Sequence, residues 1–351
     1  MAICAVANAQ VGVDLRAGAS IAAVVQKLSD KRVIFVGENH DRYDHHLNQL
    51  AILREMQRTQ PGFAIGLEYF QRFSQDDVDD YIAGKTDEKA FLRATGYYDS
   101  WGYDYRLYAP ILRFAREQHI PLVALNVPSG LTSMVSKTGI AALPEEWKNV
   151  MPLEMEPAKE PYRDRLRKSF EQHEDKRAEA FERFVEAQLV WDEGMAEISA
   201  NYLTRHAGSR LVVLAGSGHM VFGDGIPQRL ARRTGASYAV VLSNSAEIEA
   251  SMGDVLLLSA PQSLPPAGIL GVKLHDGNVG CSIGDLVPGG AAAKSGLLKD
   301  DMFVDIDGQA VHTAAEIKVA LWDRNPGDKV HVRVQRGTAT VDVDVELKAA
   351  N

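Results

Sequence analysis

The sequence has very little cysteine, with only Cys4 and Cys281 in a chain of 351 residues. Two cysteines this far apart exclude a CxxC zinc site and a disulfide framework. No stretch is apolar over the ~18 residues that a membrane-spanning helix requires, so no transmembrane helix is predicted. Positive charge is also scarce, and the formal net charge is -9. An acidic chain is poorly suited to the phosphates of DNA or RNA, which argues against a nucleic-acid partner.

The remaining composition is that of an ordinary globular protein, with 46% hydrophobic and 24% charged residues. The length suggests two domains of ~100–200 residues each. The apolar start contains Ala7-Asn8-Ala9, which resembles the small-x-small cleavage site of a secretory signal. We interpret residues 1–19 either as the remnant of such a signal or as a disordered terminus. The first alternative places the protein in the bacterial envelope, in the periplasm or associated with the outer membrane.

Six short apolar runs, rich in β-branched residues, recur along the first three quarters of the chain. They are residues 32–37, 63–70, 120–128, 210–219, 237–243 and 254–259. Runs that are apolar at nearly every position favour strands covered on both faces, as in a parallel sheet. Helical patterns lie between them, at residues 44–58, 104–119, 160–205 and 225–234. This alternation predicts an α/β fold with a mostly parallel sheet and flanking helices. The charged segment 160–190 suggests a solvated helical lid, within a helical insertion at about 140–205.

A proline-rich stretch, "APQSLPPAG" at 260–268, ends this pattern and predicts a linker at 261–267. We therefore expect a first domain at 20–260 and a small β-rich domain at 268–349. The second domain contains "GILGVKL", then "VPGGAAAKSGLLKDD" and then "IDG". These motifs, in this order, closely resemble a bacterial PDZ domain. The resemblance implies a loop of Ile269, Leu270, Gly271 and Val272 that binds the terminal carboxylate of a partner protein through its N–H groups. The peptide would lie against a helix near 314–323. The alternative is a PDZ fold without a peptide ligand.

Polar side chains follow several of the predicted strands of the first domain. Glu38 and His40 follow the first strand and Glu68 ends the second, while Asn126, Ser217 and His219 follow later strands. The carboxyl ends of parallel strands meet at one edge of a sheet, so these groups are expected to converge there. Gly-x-x-His occurs twice, at 37–40 and 216–219. We expect these glycines to permit a tight turn that lets each imidazole reach the edge.

Two helices add candidates to the same edge. On 44–58, His46 lies on the apolar side, which predicts a hydrogen-bonded core histidine. On the long helix, one face carries residues at i, i+4, i+7, i+11 and i+14 spacing. They are Gln188, Asp192, Met195, Ser199 and Tyr202. This mixture of polar groups and methionine, together with Asn126, favours the wall of a pocket over a solvated face.

Several segments of the first domain also carry a family resemblance. They are "GENHD", "GLE", "WGYDYRLYAPILRFAREQHIPLVALNVP", "AQLVWDEGMA" and "AGSGHM". Over roughly residues 20–260 they resemble the ChaN-like haem-binding uptake family of the Tiki superfamily. The resemblance implies haem binding at a dimer interface, a role in iron or haem uptake, and a place in a membrane-associated complex. Related branches include Tiki-type metalloproteases, which use paired Gly-x-x-His motifs with a glutamate, and erythromycin-esterase-like hydrolases.

Two functions are therefore open, and the sequence does not decide whether the protein is an enzyme. Haem binding requires an apolar slot and an axial tyrosine, histidine or methionine. Tyr103, in the five-tyrosine segment 96–108, and Tyr162 and His173, in the insertion, are the candidates. Hydrolysis would instead use the polar edge.

For a hydrolase, the catalytic residues would be Glu38, His40, Glu68 and His219. His40, Glu68 and His219 would hold a divalent metal, leaving one carboxylate as general base. Alternatively, Glu38 would orient His40 as a general base without any metal. Ser217 lies in "GSGH" and not in the Gly-x-Ser-x-Gly motif of a serine nucleophile.

Overall fold

The computed structural model describes residues 20–172, 174–243, 249 and 251–349. The signal-like Ala7-Asn8-Ala9 and the candidate haem ligand His173 lie outside these residues. Within this part of the chain, no helix is both long enough and apolar enough to cross a membrane.

The first part of the chain forms a six-stranded sheet in the order β3-β2-β4-β1-β5-β6. Every neighbouring pair in this sheet is parallel. The strands are β1 Val33–Glu38, β2 Phe63–Gln71, β3 Leu122–Asn126, β4 Arg210–Gly216, β5 Tyr238–Ser243 and β6 Val255–Leu257. The predicted α/β class is confirmed.

Both faces of the parallel sheet are buried. In β1, Ile34 and Val36 belong to one hydrophobic core, whereas Val33 and Phe35 belong to the core on the opposite face. Successive side chains of a strand point to opposite faces, so a strand covered twice must be apolar at every position. This is the physical reason for the continuous apolar runs in the sequence.

Eleven helices of the described residues accompany this sheet. They are α1 Ile21–Lys27, α2 Tyr43–Thr59, α3 Gln75–Ile82, α4 Glu88–Ala94, α5 Tyr97–Ser100, α6 Ala109–Glu117, α7 Ser129–Thr138, α8 Glu145–Lys148, α9 Glu160–Phe170, α10 Ala178–Arg205 and α11 Ile226–Thr234. Helix α6 begins five residues later than predicted from the 104–119 pattern, with Pro110 in its first turn. Proline is favoured there because the first N–H groups of a helix have no intrahelical partner.

The helical insertion differs from the solvated lid expected at 160–190. Two helices, α9 and α10, occupy the range 160–205, and their apolar stripes face each other. Tyr162, Leu166 and Phe170 of α9 pack with Phe181 and Val185 of α10 in a small core. The apolar stripe of segment 160–190 is sparse, but it is sufficient to bury one face of each helix, because α9 and α10 each supply half of the shared core.

Residues after 267 form the second unit, a six-stranded antiparallel sheet in the order β13-β12-β10-β9-β8, with β11 paired to β10, and a separate two-stranded sheet of β14 and β7. Its strands, with the short additions β7, β11 and β14, are β7 Gly268–Ile269, β8 Val272–Gly277, β9 Gly280–Leu286, β10 Met302–Ile306, β11 Gln309–Ala310, β12 Lys329–Arg336, β13 Ala339–Glu346 and β14 Lys348–Ala349. Two helices complete it, α12 Ala291–Ser295 and α13 Ala314–Leu321. The β-rich class predicted for this part is confirmed. Thr313 and Glu316 form a capping box that fixes the start of α13.

The two units pack against each other through α13. Val319 and Trp322 of the second unit join the core on one face of the parallel sheet. The Trp322 ring meets the Tyr105 ring edge-on at 4.8 Å between centroids. Helix α13 of the second unit is thus anchored in the first.

Candidate functional site

Three adjacent strands at the centre of the parallel sheet position the polar groups. Glu38 ends β1 and pairs in register with Gly216, which ends β4, while β2 on the other side of β4 carries Glu68. The carboxyl ends of these strands therefore bring Glu38, Glu68, His40 and His219 to one edge, as parallel pairing requires.

The first pair at this edge is Glu38 with His40. Nδ1 of His40 lies 2.6 Å from Oε1 of Glu38, and Glu38 is only 3% exposed. The second carboxylate oxygen, Oε2, is buried and has no hydrogen-bond partner among the described residues. Burial alone would lower the pKa of His40, but the hydrogen bond to Glu38 and the charge of Glu68 raise it. Glu38 therefore holds the ring in one orientation, with Nε2 directed away from it.

The second histidine, His219, lies between two carboxylates. Its Nδ1 is 2.6 Å from Oδ1 of Asp192, and its Nε2 is 3.4 Å from Oε1 of Glu68. Tyr162 donates its hydroxyl to the other Asp192 oxygen over 2.7 Å. Burial alone would lower the pKa of His219, but the charges of Glu68 and Asp192 raise it to about 10. His219 is therefore an imidazolium at neutral pH.

Glu68 interacts electrostatically with both histidines. Its Oε2 accepts the backbone N–H of Gly216 at 2.6 Å. Burial alone would raise the pKa of Glu68, but the charges of His219 and His40 lower it to about 2. The edge thus contains an ionised carboxylate with a fixed imidazole on either side.

The glycines of the two Gly-x-x-His motifs have a different role from the one expected. Neither Gly37 nor Gly216 has a positive φ, so neither supplies a tight left-handed turn. A Cβ on Gly216 would lie 2.8 Å from Cε1 of His40, and one on Gly37 would lie 2.8 Å from Oγ of Ser217. Real Cβ atoms essentially never approach so closely, so glycine is required here by close packing. The second motif makes room for the histidine of the first.

A cavity of about 330 Å³ opens beside these groups. Its polar wall contains His40, Glu68, Asn126 and His219, and its other walls contain Tyr69, Gln71, Ser100, Trp101, Tyr103, Val127, Ser129 and Trp191. The rings of Trp101 and Tyr103 each lie 4.9 Å from the His40 ring, between centroids. Its size falls in the range of small-molecule sites, and it combines aromatic surface with a few fixed polar groups.

Two family models match the chain. The first, described as haem-binding uptake, Tiki superfamily, ChaN, matches residues 24–230, which is more than half of the chain. The chain belongs to this family. The second model, a PDZ domain, matches residues 268–347. The comparison with curated proteins gave no match. Below, the first unit is called the ChaN-like domain and the second the PDZ domain.

Solved structures resemble each part. ChaN of Campylobacter jejuni, whose structure concerns cofacial haem binding, is 19% identical, covers 66% of this chain and 89% of its own, and has a TM-score of 0.53. At this identity the likeness shows the fold alone. The HtrA3 PDZ domain with a phage-derived ligand is 13% identical, covers 24% of this chain and 87% of its own, and has a TM-score of 0.22. The erythromycin esterase EreC is 12% identical, covers 63% of this chain and 71% of its own, and has a TM-score of 0.40.

The other candidate residues of the ChaN-like domain are dispersed. Asn126 lines the cavity and donates to the carbonyl oxygen of Glu68 over 2.8 Å. Asp192 holds His219, whereas Met195 is completely buried in the core and Gln188 is partly exposed outside the cavity lining. His46 is buried, with its ring nitrogens 3.2 Å from Gln49 Oε1 and from the His40 carbonyl oxygen, so the predicted core histidine is confirmed.

The haem candidates have very different surroundings. Tyr103 is 37% exposed at the cavity. Tyr162 is 2% exposed, and its hydroxyl is occupied by Asp192. In this arrangement Tyr162 is better placed to hold Asp192 than to bind iron. His173 lies outside the described residues.

Sequence reasoning did not single out several residues that line the cavity of the ChaN-like domain. Trp101 lies in the tyrosine-rich segment, and Trp191 immediately precedes Asp192. Tryptophans adjacent to candidate polar residues were the available signal. Tyr69 and Gln71 gave no such signal, because in the sequence they continue the pattern of a buried strand.

The donor set fits a divalent metal. Glu38, His40 and Glu68 each offer a ligand atom, and these atoms lie within 4.8 Å of one another. The unpartnered Oε2 of Glu38 is an acceptor that a cation would satisfy. Two carboxylates and an imidazole suit zinc or a similar ion. His219, expected as a ligand, is not in this group. Since Asp192 and Glu68 engage both of its nitrogens, it stands beside the group as a charged neighbour.

Proposed function

We propose that this protein binds haem at the mouth of the cavity beside His40 and takes part in haem or iron uptake at the bacterial envelope. The observation that carries this is Tyr103, a partly exposed phenol beside Trp101 at the rim of an aromatic-lined cavity. Tyrosine is an established axial ligand of haem iron, and apolar walls suit the porphyrin. Membership of the haem-binding uptake family supports the same assignment.

In this proposal Tyr103 would hold the iron, and Trp101 and Trp191 would provide apolar surface for the porphyrin. When bound, haem supplies an iron centre that is carried and handed on, with no catalysis required. Burial and the charges of Asp41 and Glu38 raise the pKa of Tyr103, so its phenol proton would have to leave before the oxygen could bind iron. A second copy of the chain would cover a haem held at the cavity mouth, which would make the protein a homodimer. Cofacial haem binding is described for C. jejuni ChaN, and this supports haem as the ligand.

Haemin titration tests this proposal. The wild-type protein is expected to give a saturable Soret shift, and Tyr103→Phe is expected to bind at least about tenfold more weakly because the axial ligand is lost. Tyr202→Phe is the matched control, because Tyr202 is a partly exposed tyrosine near the end of α10 and stacks on His206. Absence of a saturable shift in the wild type would reject haem binding. An unchanged affinity in Tyr103→Phe would reject that residue as the ligand.

For the PDZ domain, we propose recognition of the free C-terminus of a partner protein. The loop Ile269–Val272 precedes β8, which is an edge strand of the antiparallel sheet and can pair with an added strand. Leu270 and Gly271 donate no N–H hydrogen bond to any described residue, and Gly271 has a φ of 72°. Such amides form an anion-binding concavity. A displayed library of random peptides is expected to yield binders with free C-termini, and no enrichment would reject this role.

The alternative function is hydrolysis at the polar edge, with a divalent metal held by Glu38, His40 and Glu68. The observation that favours it is the buried Oε2 of Glu38, which has no hydrogen-bond partner among the described residues, lies 3.8 Å from His46 Nε2 and is beside two potential ligands. A metal would there activate a water molecule. His219 would stabilise developing negative charge, and Asp192 would keep it oriented.

Elemental analysis of protein purified without chelators tests this alternative. One tightly held equivalent of metal is expected, and Glu68→Gln is expected to weaken it at least about tenfold, since even the partners of metal ligands contribute that much. Glu117→Gln, at an exposed position of α6, is the control. If metal is absent, or is retained equally by both variants, the alternative fails.

A further inference from the structure

The peptide groove of the PDZ domain is not formed by that domain alone. A cavity of about 410 Å³ lies between β8 and α13 and is lined by Leu270, Gly271, Val272, Ile317 and Leu321. The remaining wall comes from the ChaN-like domain, through Tyr98, Gly102, Asp104 and Arg106. An extended peptide that adds to β8 would therefore contact both domains.

The wall from the ChaN-like domain is held firmly. Trp322, directly after α13, packs on Tyr105, and the Arg113 guanidinium lies 5.3 Å from the Trp322 ring centroid. Lys318 of α13 lies 5.6 Å from the centroid of the Tyr98 ring. These contacts fix α13 against segment 98–106, so the shape of the groove depends on the packing of the two domains.

Arg106 and Asp104 form an ion pair in the wall of this groove, so Arg106 offers the groove hydrogen-bond donors more than net charge. Asp104 accepts from Nε and Nη2, the latter over 2.5 Å, and Nη1 donates to the carbonyl oxygen of Pro265 over 2.8 Å. A guanidinium has five N–H donors, so these three bonds leave two for a ligand. Pro265 lies four residues before Ile269, which opens the carboxylate-binding loop. The two unused N–H groups of this guanidinium can donate to a peptide that ends in a carboxylate.

The same segment lines the haem or metal cavity from its other side. Ser100, Trp101 and Tyr103 line that cavity, while Tyr98, Gly102, Asp104 and Arg106 line the groove. The Trp101 indole N–H donates to Tyr108 Oη over 3.1 Å, and Tyr108 donates to the His40 carbonyl oxygen over 3.4 Å. Segment 98–106 thus lines the peptide groove and also contacts the ring of His40.

We propose that the peptide groove is a two-domain site in which Arg106 contributes to binding a free C-terminus, and that occupancy of the groove is transmitted to His40 through Trp101 and Tyr103. The occupant is the C-terminal segment of a partner protein, because the open edge of β8 complements an extended backbone, and the unused N–H groups of Leu270, Gly271 and Arg106 complement a terminal carboxylate. This inference rests on the peptide-binding role proposed above. It adds a positioning role for the ChaN-like domain and a coupling between the two sites.

The affinity test uses the full chain and a peptide selected from the displayed library, synthesised with a free and with an amidated C-terminus. Arg106→Ala is expected to weaken the free acid about tenfold and leave the weaker binding of the amide unchanged. Arg106→Lys, which keeps the charge, is expected to lose only about threefold. Arg93→Ala is the control, because Arg93 also reaches the PDZ domain, at Gln309, but lies outside the groove lining. Equal affinity of Arg106→Ala and wild type would overturn the two-domain site.

The coupling test follows histidine side-chain signals by NMR, with His40 assigned through His40→Gln. Saturating peptide is expected to shift the His40 signals in the absence of haem and added metal. His331, paired with Asp342 and Asp344 on the PDZ sheet, is expected to stay unchanged. If the His40 signals did not shift when peptide was bound, the proposed coupling would be overturned. Failure to select any peptide would instead contradict the proposed PDZ function, and this inference would fall with it.

Discussion

Replacing Glu193 with glutamine is expected to lower the free energy of unfolding of the ChaN-like domain by about 3–5 kcal/mol. Glu193 is completely buried on α10, beside Arg229, which is 3% exposed on α11. Its Oε2 lies 2.6 Å from Nη1 of Arg233 and 3.1 Å from Nη2 of Arg232, and its Oε1 accepts the backbone N–H of Glu156. Glutamine keeps the shape but removes the charge, so buried guanidinium groups lose their counterion.

Urea unfolding followed by circular dichroism measures this effect. Glu182→Gln is the matched control, because Glu182 lies on the same helix and pairs with Arg163 but is 56% exposed at its side chain. An exposed pair contributes less than about 1 kcal/mol. If the two variants unfolded at the same urea concentration, the buried cluster would not hold α10 against α11. Glu193→Gln is also expected to shift Asp192, because Asp192 directly precedes Glu193 on α10 and α10 is held against α11 by the Glu193 cluster.

Replacing Gly225 with alanine is expected to displace His219 and to destabilise the domain by about 1–3 kcal/mol. A Cβ on Gly225 would lie 2.0 Å from the backbone oxygen of His219 and 3.2 Å from Oδ2 of Asp192. Backbone cannot yield as a flexible side chain does, so the loop that carries His219 must move. Moving His219 away from Glu68 and Asp192 removes the negative charges that raise its pKa.

Two measurements check this prediction in protein freed of metal by a chelator. The pKa of His219, about 10 in the wild type, is expected to fall in Gly225→Ala when followed by NMR, and the urea midpoint is expected to decrease. Gly218→Ala is the control, since Gly218 directly precedes His219 and a Cβ there would meet no heavy atom within 4 Å. If the pKa of His219 were the same in Gly225→Ala as in the wild type, the loop would have accommodated the methyl group without moving the imidazole. The prediction would then be wrong.

Local physical rules made much of the fold predictable. The six apolar runs correspond to six parallel strands, because a strand covered on both faces has no polar position to reveal its period. The PDZ helix near 314–323 is α13, where the capping box of Thr313 and Glu316 is itself a sequence pattern. Parallel pairing also predicted that the groups after β1, β2 and β4 would meet, because strand ends at one edge are neighbours whatever the loops do.

The partners within the site could not be read from the sequence in the same way. That Asp192 and Glu68 hold His219 depends on side-chain packing between α10 and the sheet, whereas the pairing of Glu38 with His40, two residues apart, was one of the alternatives that the sequence offered. The glycines of the two motifs were expected to permit turns, and they instead make room for neighbouring side chains. Contacts between residues 148 or more positions apart, such as Glu68 with Gly216, are set by the whole fold.

By itself, the sequence determined the α/β class and the edge of the sheet where the polar groups meet, and its motifs indicated the PDZ domain through their resemblance to that family. The first two properties follow from periodicity and strand direction, which act over a few residues. Only the tertiary structure decided which carboxylates hold His219, that Tyr162 is buried while Tyr103 is open, and that segment 98–106 lies between two cavities. These features depend on contacts between segments that are far apart in the sequence, and such contacts form only when the whole chain packs.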